Sequence, residues 1–167
     1  MNRQQRRKMV QTTAKTSTSK TIDLSKLRAK KNGEVFTPPK LAEEMLNKLP
    51  NESFTNKDLK FLDPCFGATA VFPIMLMFRL ADGLRTAIPN PEERVKHIVE
   101  KMLYMSEIDA DACAFGSSGI QHYASLLKRH LCLYDFPVAV NYLRNGYIEN
   151  YQTIIDGFYN ELKKKSS

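Results

Sequence analysis

Residues 68–80 are apolar at every position except Thr69 and Arg79, with the longest unbroken stretch around residues 71–77. A helix this apolar cannot turn one side to water, so other elements must enclose it. It also falls short of the roughly 18 residues a membrane span requires. The run is therefore expected to be a helix packed against a sheet. Leu59-Lys60-Phe61-Leu62, running into Asp63-Pro64, reads as a short buried strand before it. Leu103-Tyr104-Met105-Ser106 reads as a second strand and Val138-Ala139-Val140-Asn141-Tyr142 as a third. Helices are expected between and around them. One starts at Thr37 as N-cap with Pro38 and Pro39, carries a stripe of Leu41, Met45, Leu46 and Leu49, and ends at Pro50. After the turn at Pro89-Asn90-Pro91, residues 92–102 place Val95, Ile98 and Met102 on one face. Further helices are expected over 111–129, loosened by Gly116 and Gly119, and over 151–165. Strands alternating with helices predict an α/β chain with a parallel sheet of βαβ units.

Charge divides the chain. Residues 1–31 hold ten bases and one acid, Asp23, whereas residues 32–167 hold 15 bases and 17 acids. The first segment is rich in Ser and Thr and lacks apolar periodicity, so it is expected to be a disordered basic tail before one domain over 32–167. Three readings of the tail remain open: an inert solvated segment, an arm that adds phosphate contacts to nucleic acid, and an organellar transit peptide. The first thirty residues contain no apolar core of a secretory signal. Cys65, Cys113 and Cys132 show no CxxC spacing and make an odd count, which predicts buried, reduced thiols in the cytoplasm.

Two stretches carry chemistry. In Phe61-Leu62-Asp63-Pro64-Cys65-Phe66-Gly67-Ala68-Thr69 a strand ends in an acid, then a small-residue turn leads into a helix. Glycine removes the Cβ that would block a ligand, and a helix N-terminus offers unpaired N–H groups. Some forty residues on, Tyr104-Met105-Ser106-Glu107-Ile108-Asp109 puts an acid at the end of the next strand, where a carboxylate can accept from both hydroxyls of a ribose. Glu107 is better placed for this than Asp109.

With Gly33-Glu34-Val35-Phe36-Thr37-Pro38-Pro39 upstream, these motifs stand in an order that resembles gamma-class DNA adenine N6-methyltransferases, the modification enzymes of restriction systems. Leu62-Asp63-Pro64-Cys65-Phe66-Gly67 is similar to their first cofactor motif and Met105-Ser106-Glu107-Ile108-Asp109 to their ribose motif. The resemblance covers roughly residues 33–130. It implies a partial Rossmann-like S-adenosylmethionine-dependent methyltransferase fold, with about three parallel strands flanked by helices. It implies S-adenosylmethionine as cofactor, with Thr37, Asp63, Pro64, Cys65 and Gly67 around the methionine end. Glu107 would then hold the ribose and Ile108 would pack on the adenine ring.

The sequence departs from the family at Thr69, where a second glycine is usual, and at Met105, where glycine is common. Asn145-Gly146-Tyr147 offers no acid after the third expected strand. No Asn/Asp-Pro-Pro-aromatic motif occurs in the 167 residues. That motif localises the lone pair of the adenine amine and stacks on the flipped base. No catalytic residue is therefore expected, and the chain alone should be a poor or inactive methylase. It reads as the cofactor half of a truncated or split enzyme, in a bacterium or phage-infected cell. The alternatives are an inactive methyltransferase-like binding protein, such as a phage-type regulatory or anti-restriction factor, and a basic-tailed nucleic-acid adaptor. With about three strands, the edge at Phe61-Leu62 should be open, so that a second chain completes the sheet, the chain self-associates, or it is a remnant of limited stability. Deleting residues 1–31 is expected to weaken DNA binding and to flatten its salt dependence. An unchanged slope of log K against log salt would leave the tail inert.

Overall fold

The computed structural model describes residues 23–167, which divide at Gly33 into two compact units. In the first, Asp23 caps helix α1 (Leu24–Asn32) by accepting from the Lys26 N–H, and Gly33 closes it in the left-handed conformation at φ 66°. The helix buries no residue, so these caps and the Lys30 and Lys31 charges at its carbonyl end favour it locally. Of the stretch expected to be disordered, residues 24–31 are thus helical, while residues 1–22 lie outside the described residues.

In the second unit Pro38, not Thr37, is the N-cap of α2 (Pro39–Leu46), and Pro39 takes the first-turn position where an N–H would go unused. Pro39, Ala42 and Leu46 face inward. The expected stripe is corrected accordingly, because Leu41, Met45 and Leu49 are exposed. A short α3 (Glu52–Thr55) leads to β1 (Phe61–Asp63), then the apolar α4 (Val71–Gly83). Helix α5 (Pro91–His97), capped by Asn90, runs through a π-helical turn (Ile98–Met102) into β2 (Leu103–Met105). Three helices complete the chain: α6 (Ala110–Leu133), α7 (Phe136–Glu149) and α8 (Tyr151–Lys165).

The strands pair in parallel, Phe61 with Leu103, Leu62 with Tyr104 and Asp63 with Met105. Leu62 and Tyr104 share one sheet face and are exposed, whereas Leu103 on the other face is buried. The core is built around α4, whose Ile74, Met77, Phe78, Leu80 and Ala81 are buried with Val95, Ile98, Met102, Leu127 and Tyr147.

The expected Rossmann-like sheet of about three strands is not what the chain forms. Among the described residues the sheet has two strands and the remaining elements are helices. Residues 138–142, expected to be the third strand, lie within α7. There Ala139, Val140, Leu143 and Tyr147 are the buried positions, a helical and not an alternating spacing. The β-branched run carried a strand preference that packing of this face onto its neighbours overrides. The thiols are also corrected: Cys65 and Cys132 are exposed and Cys113 is half-buried.

One charge lies inside this core. Arg94 is 3% exposed and uses its guanidinium as a carbonyl clamp. Nε donates to Ile88 O (2.8 Å), Nη1 to Ala81 O (2.8 Å) and Nη2 to Pro89 O (2.9 Å), and the group stands 4.8 Å from the centre of the Phe136 ring. It satisfies the buried Ala81 carbonyl near the end of α4 and two half-buried carbonyls of the turn that follows. Arg94→Met should therefore lower the free energy of unfolding by about 2–4 kcal/mol, as three carbonyls lose their donor. Urea denaturation checks this, and an unshifted midpoint would refute the clamp.

Candidate functional site

Because β1 and β2 are parallel, the loops that follow them leave from the same end of the sheet. The pairing continues beyond the strands: the Ser106 N–H donates to the Asp63 carbonyl (2.9 Å) and the Phe66 N–H to the Ser106 carbonyl (3.3 Å). Glu107 then reaches across. Its Oε2 accepts from the Gly67 N–H at 2.9 Å and its Oε1 from the Asp109 N–H at 3.0 Å. Asp109 has a different task, accepting from the Ala112 N–H at 2.8 Å as the N-cap of α6. Of the two neighbouring acids, Glu107 is the one that faces the turn.

Gly67 has φ 64°, and a Cβ added there would meet nothing within 4 Å. Its left-handed conformation, and not crowding, is what selects glycine. Crowding selects Gly116 instead. A Cβ there would lie 2.4 Å from the Gly67 carbonyl oxygen and 2.7 Å from the Phe66 ring. Gly116 thus lets α6 lie directly against the turn.

Asp63 carries the unusual electrostatics. Its Oδ1 accepts from the Cys65 N–H at 3.1 Å, while its Oδ2 is buried with no hydrogen-bond partner among the described residues. Burial pushes the carboxyl above the usual aspartate range, the Cys65 N–H opposes that rise, and the charge of Glu107 adds to it. A buried, unpaired carboxylate oxygen next to a second carboxylate suits a positively charged hydrogen-bond donor.

The remaining residues singled out from the sequence are distributed around this centre. Thr37 is tied in through its carbonyl, which accepts from the Tyr151 hydroxyl. Ile108 is completely exposed beside Glu107. Pro64 lines an adjoining apolar cleft of about 260 Å³ with Leu46, Phe61, Leu62, Leu103 and Tyr104. The structure thus joins Asp63, Cys65, Gly67 and Glu107 directly and Thr37 through a tyrosine. Tyr147, Tyr151 and Gly116 were not found from the sequence. The one available signal was that both tyrosines fall on the apolar faces of successive helical segments.

Over 106 residues the chain is 36% identical to a protein of Mycoplasma pneumoniae (strain ATCC 29342 / M129) named an uncharacterized adenine-specific methylase. The match takes in 62% of this chain and 22% of that protein, so the chain spans about a fifth of its relative's length. No family model and no solved structure matches the chain. The similarity supports a methyltransferase relationship.

The raised Asp63 affinity for a proton has a signed consequence. The folded state holds that proton more tightly than the unfolded state, so stability declines as pH climbs from the ordinary value of 3.8 through the raised one, then levels off. Asp63→Asn should therefore be more stable than the wild type at pH 7, with the gap closing below pH 3.8. Thermal denaturation across this range checks it, and a wild type that is the more stable at pH 7 would count against the assignment.

Proposed function

We propose that this chain is the S-adenosylmethionine-binding, N-terminal part of a gamma-class DNA adenine N6-methyltransferase. The contact between the Glu107 carboxylate and the Gly67 N–H carries the reading, since it joins residues forty positions apart across the ends of the two strands. The residues present fit the cofactor. The orphaned Oδ2 of Asp63 suits the ammonium of its methionine end, and the open left-handed turn at Gly67 leaves room for its backbone-hugging chain. Glu107 retains lone pairs for a ribose diol, and the bare side chain of Ile108 suits an adenine ring. Thr37, Pro64 and Cys65 frame the methionine end. When bound, the cofactor supplies a methyl group activated by its sulfonium charge; the residues of this chain bind and orient it.

The Asn/Asp-Pro-Pro-aromatic motif is not among the 167 residues. In this proposal a further methylase segment carries it and adds to the free edge of β1. The apolar cleft beside Leu62 and Tyr104, together with the much greater length of the methylase relative, supports that occupant. The basic arm would contribute DNA affinity, and the setting would be the cytoplasm of a bacterium or of a phage-infected cell. No helix among the described residues is long and apolar enough to cross a membrane. The missing motif also favours a second reading, an inactive relative that binds cofactor, DNA or a host protein as a regulatory or anti-restriction factor.

Calorimetry with S-adenosylmethionine tests the binding reading. Glu107→Ala should weaken affinity by roughly ten- to a hundredfold, the cost of losing charge-assisted hydrogen bonds. Equal affinity in the variant would remove Glu107 from the site. Methyl transfer to DNA, assayed with and without the motif-bearing segment, then separates the two readings.

A further inference from the structure

The turn that follows β1 is fastened from the helical side as well as by Glu107. Tyr147 of α7 is fully buried and packs edge-on against Tyr123 (5.0 Å between ring centres), Tyr151 (6.1 Å) and Phe78 (6.5 Å). Burial pushes its hydroxyl far above the usual tyrosine range, so it stays protonated, and it donates to the Thr69 carbonyl at 3.0 Å. Four residues on, the Tyr151 hydroxyl donates to the Thr37 carbonyl and stands 3.5 Å from the Thr69 hydroxyl. Thr69 is itself 5% exposed, with its hydroxyl beside that of Tyr151. The next residue, Ala70, is the one described non-glycine residue with positive φ, at 48°. A backbone in that region needs its surroundings to hold it there.

We infer that Tyr147 and Tyr151 are positioning residues for the turn at 65–70, fixing it and the Thr37 segment in one frame. The inference rests on the groove proposed above as the cofactor site. It assigns to α7 and α8 a part in that site which no motif in them announces. Thr69, where the family that the motifs resemble usually has glycine, becomes an anchor for the frame through its carbonyl and its hydroxyl. An ion pair at the same junction, Arg144 with Glu43, ties α7 to α2 and holds the tyrosines in reach.

Amide hydrogen exchange on the full chain tests this without requiring any ligand. In Tyr147→Phe the Phe66, Gly67 and Ala70 amides should exchange about fivefold faster, the effect of one net hydrogen bond, while the Met77 and Phe78 amides of α4 keep their wild-type rates. Tyr151→Phe, at a half-buried position that tolerates the change more easily, should act in the same direction. Both variants should also bind S-adenosylmethionine about fivefold more weakly. Loop amides that keep their wild-type rates, or that quicken only in step with the α4 amides, would overturn the inference. A wild type that binds no S-adenosylmethionine would instead sink the proposed function, and the exchange comparison would still decide the role of the two tyrosines.

Discussion

Two strands of three residues share few ladder hydrogen bonds, so the ladder alone fixes their ends only weakly. Two backbone bonds through Ser106 extend the pairing, and the carboxylate of Glu107 completes it, accepting at once from the Gly67 N–H of one loop and the Asp109 N–H of its own. A charged acceptor forms stronger hydrogen bonds than a carbonyl does. Through this group the positions of Asp63, Cys65 and Gly67 become a function of where β2 ends. Everything proposed for the site depends first on that tie.

The helices make the tie possible by holding the sheet from one side. Helix α4 is apolar almost all round, and it is enclosed by α2, α3, α5, α6 and α7 as such a helix must be. Enclosure takes the Ala81 carbonyl near its C-terminal end out of water, which is the problem Arg94 solves. Gly116 solves another by letting α6 approach the Gly67 carbonyl. The opposite sheet face, with Leu62 and Tyr104, has no such cover among the described residues, and there the chain has apolar surface to offer.

The legible parts of the sequence were those in which neighbouring residues decide the structure. Asp63-Pro64-Cys65-Phe66-Gly67 and Ser106-Glu107-Ile108-Asp109 are strand-to-turn units whose geometry follows from a few consecutive residues, and they lie where their order implied. Residues 138–142 show the limit. Val138 and Val140 alternate as in a strand, but Ala139, Leu143 and Tyr147 recur as in a helix, and only packing on α4 chooses between the two patterns. Leu41 and Met45 failed for a related reason, since α2 turns Ala42 and Leu46 inward instead. Tyr147 and Tyr151 were illegible because their partners, Thr69 and Thr37, lie 78 and 114 residues away.

Charge sets a further condition on any occupant of the groove. Asp63 is partly desolvated, one of its oxygens has no donor among the described residues, and Glu107 adds a second negative charge. An anionic or neutral ligand would leave that oxygen as costly as it is now, whereas a cationic donor placed against it would relieve the desolvation of one acid and the repulsion of both. The left-handed turn and the two tyrosines would then serve one end: holding the loop that follows this uncompensated acid in place. In the proposed site the sign of a ligand's charge would therefore matter before its shape.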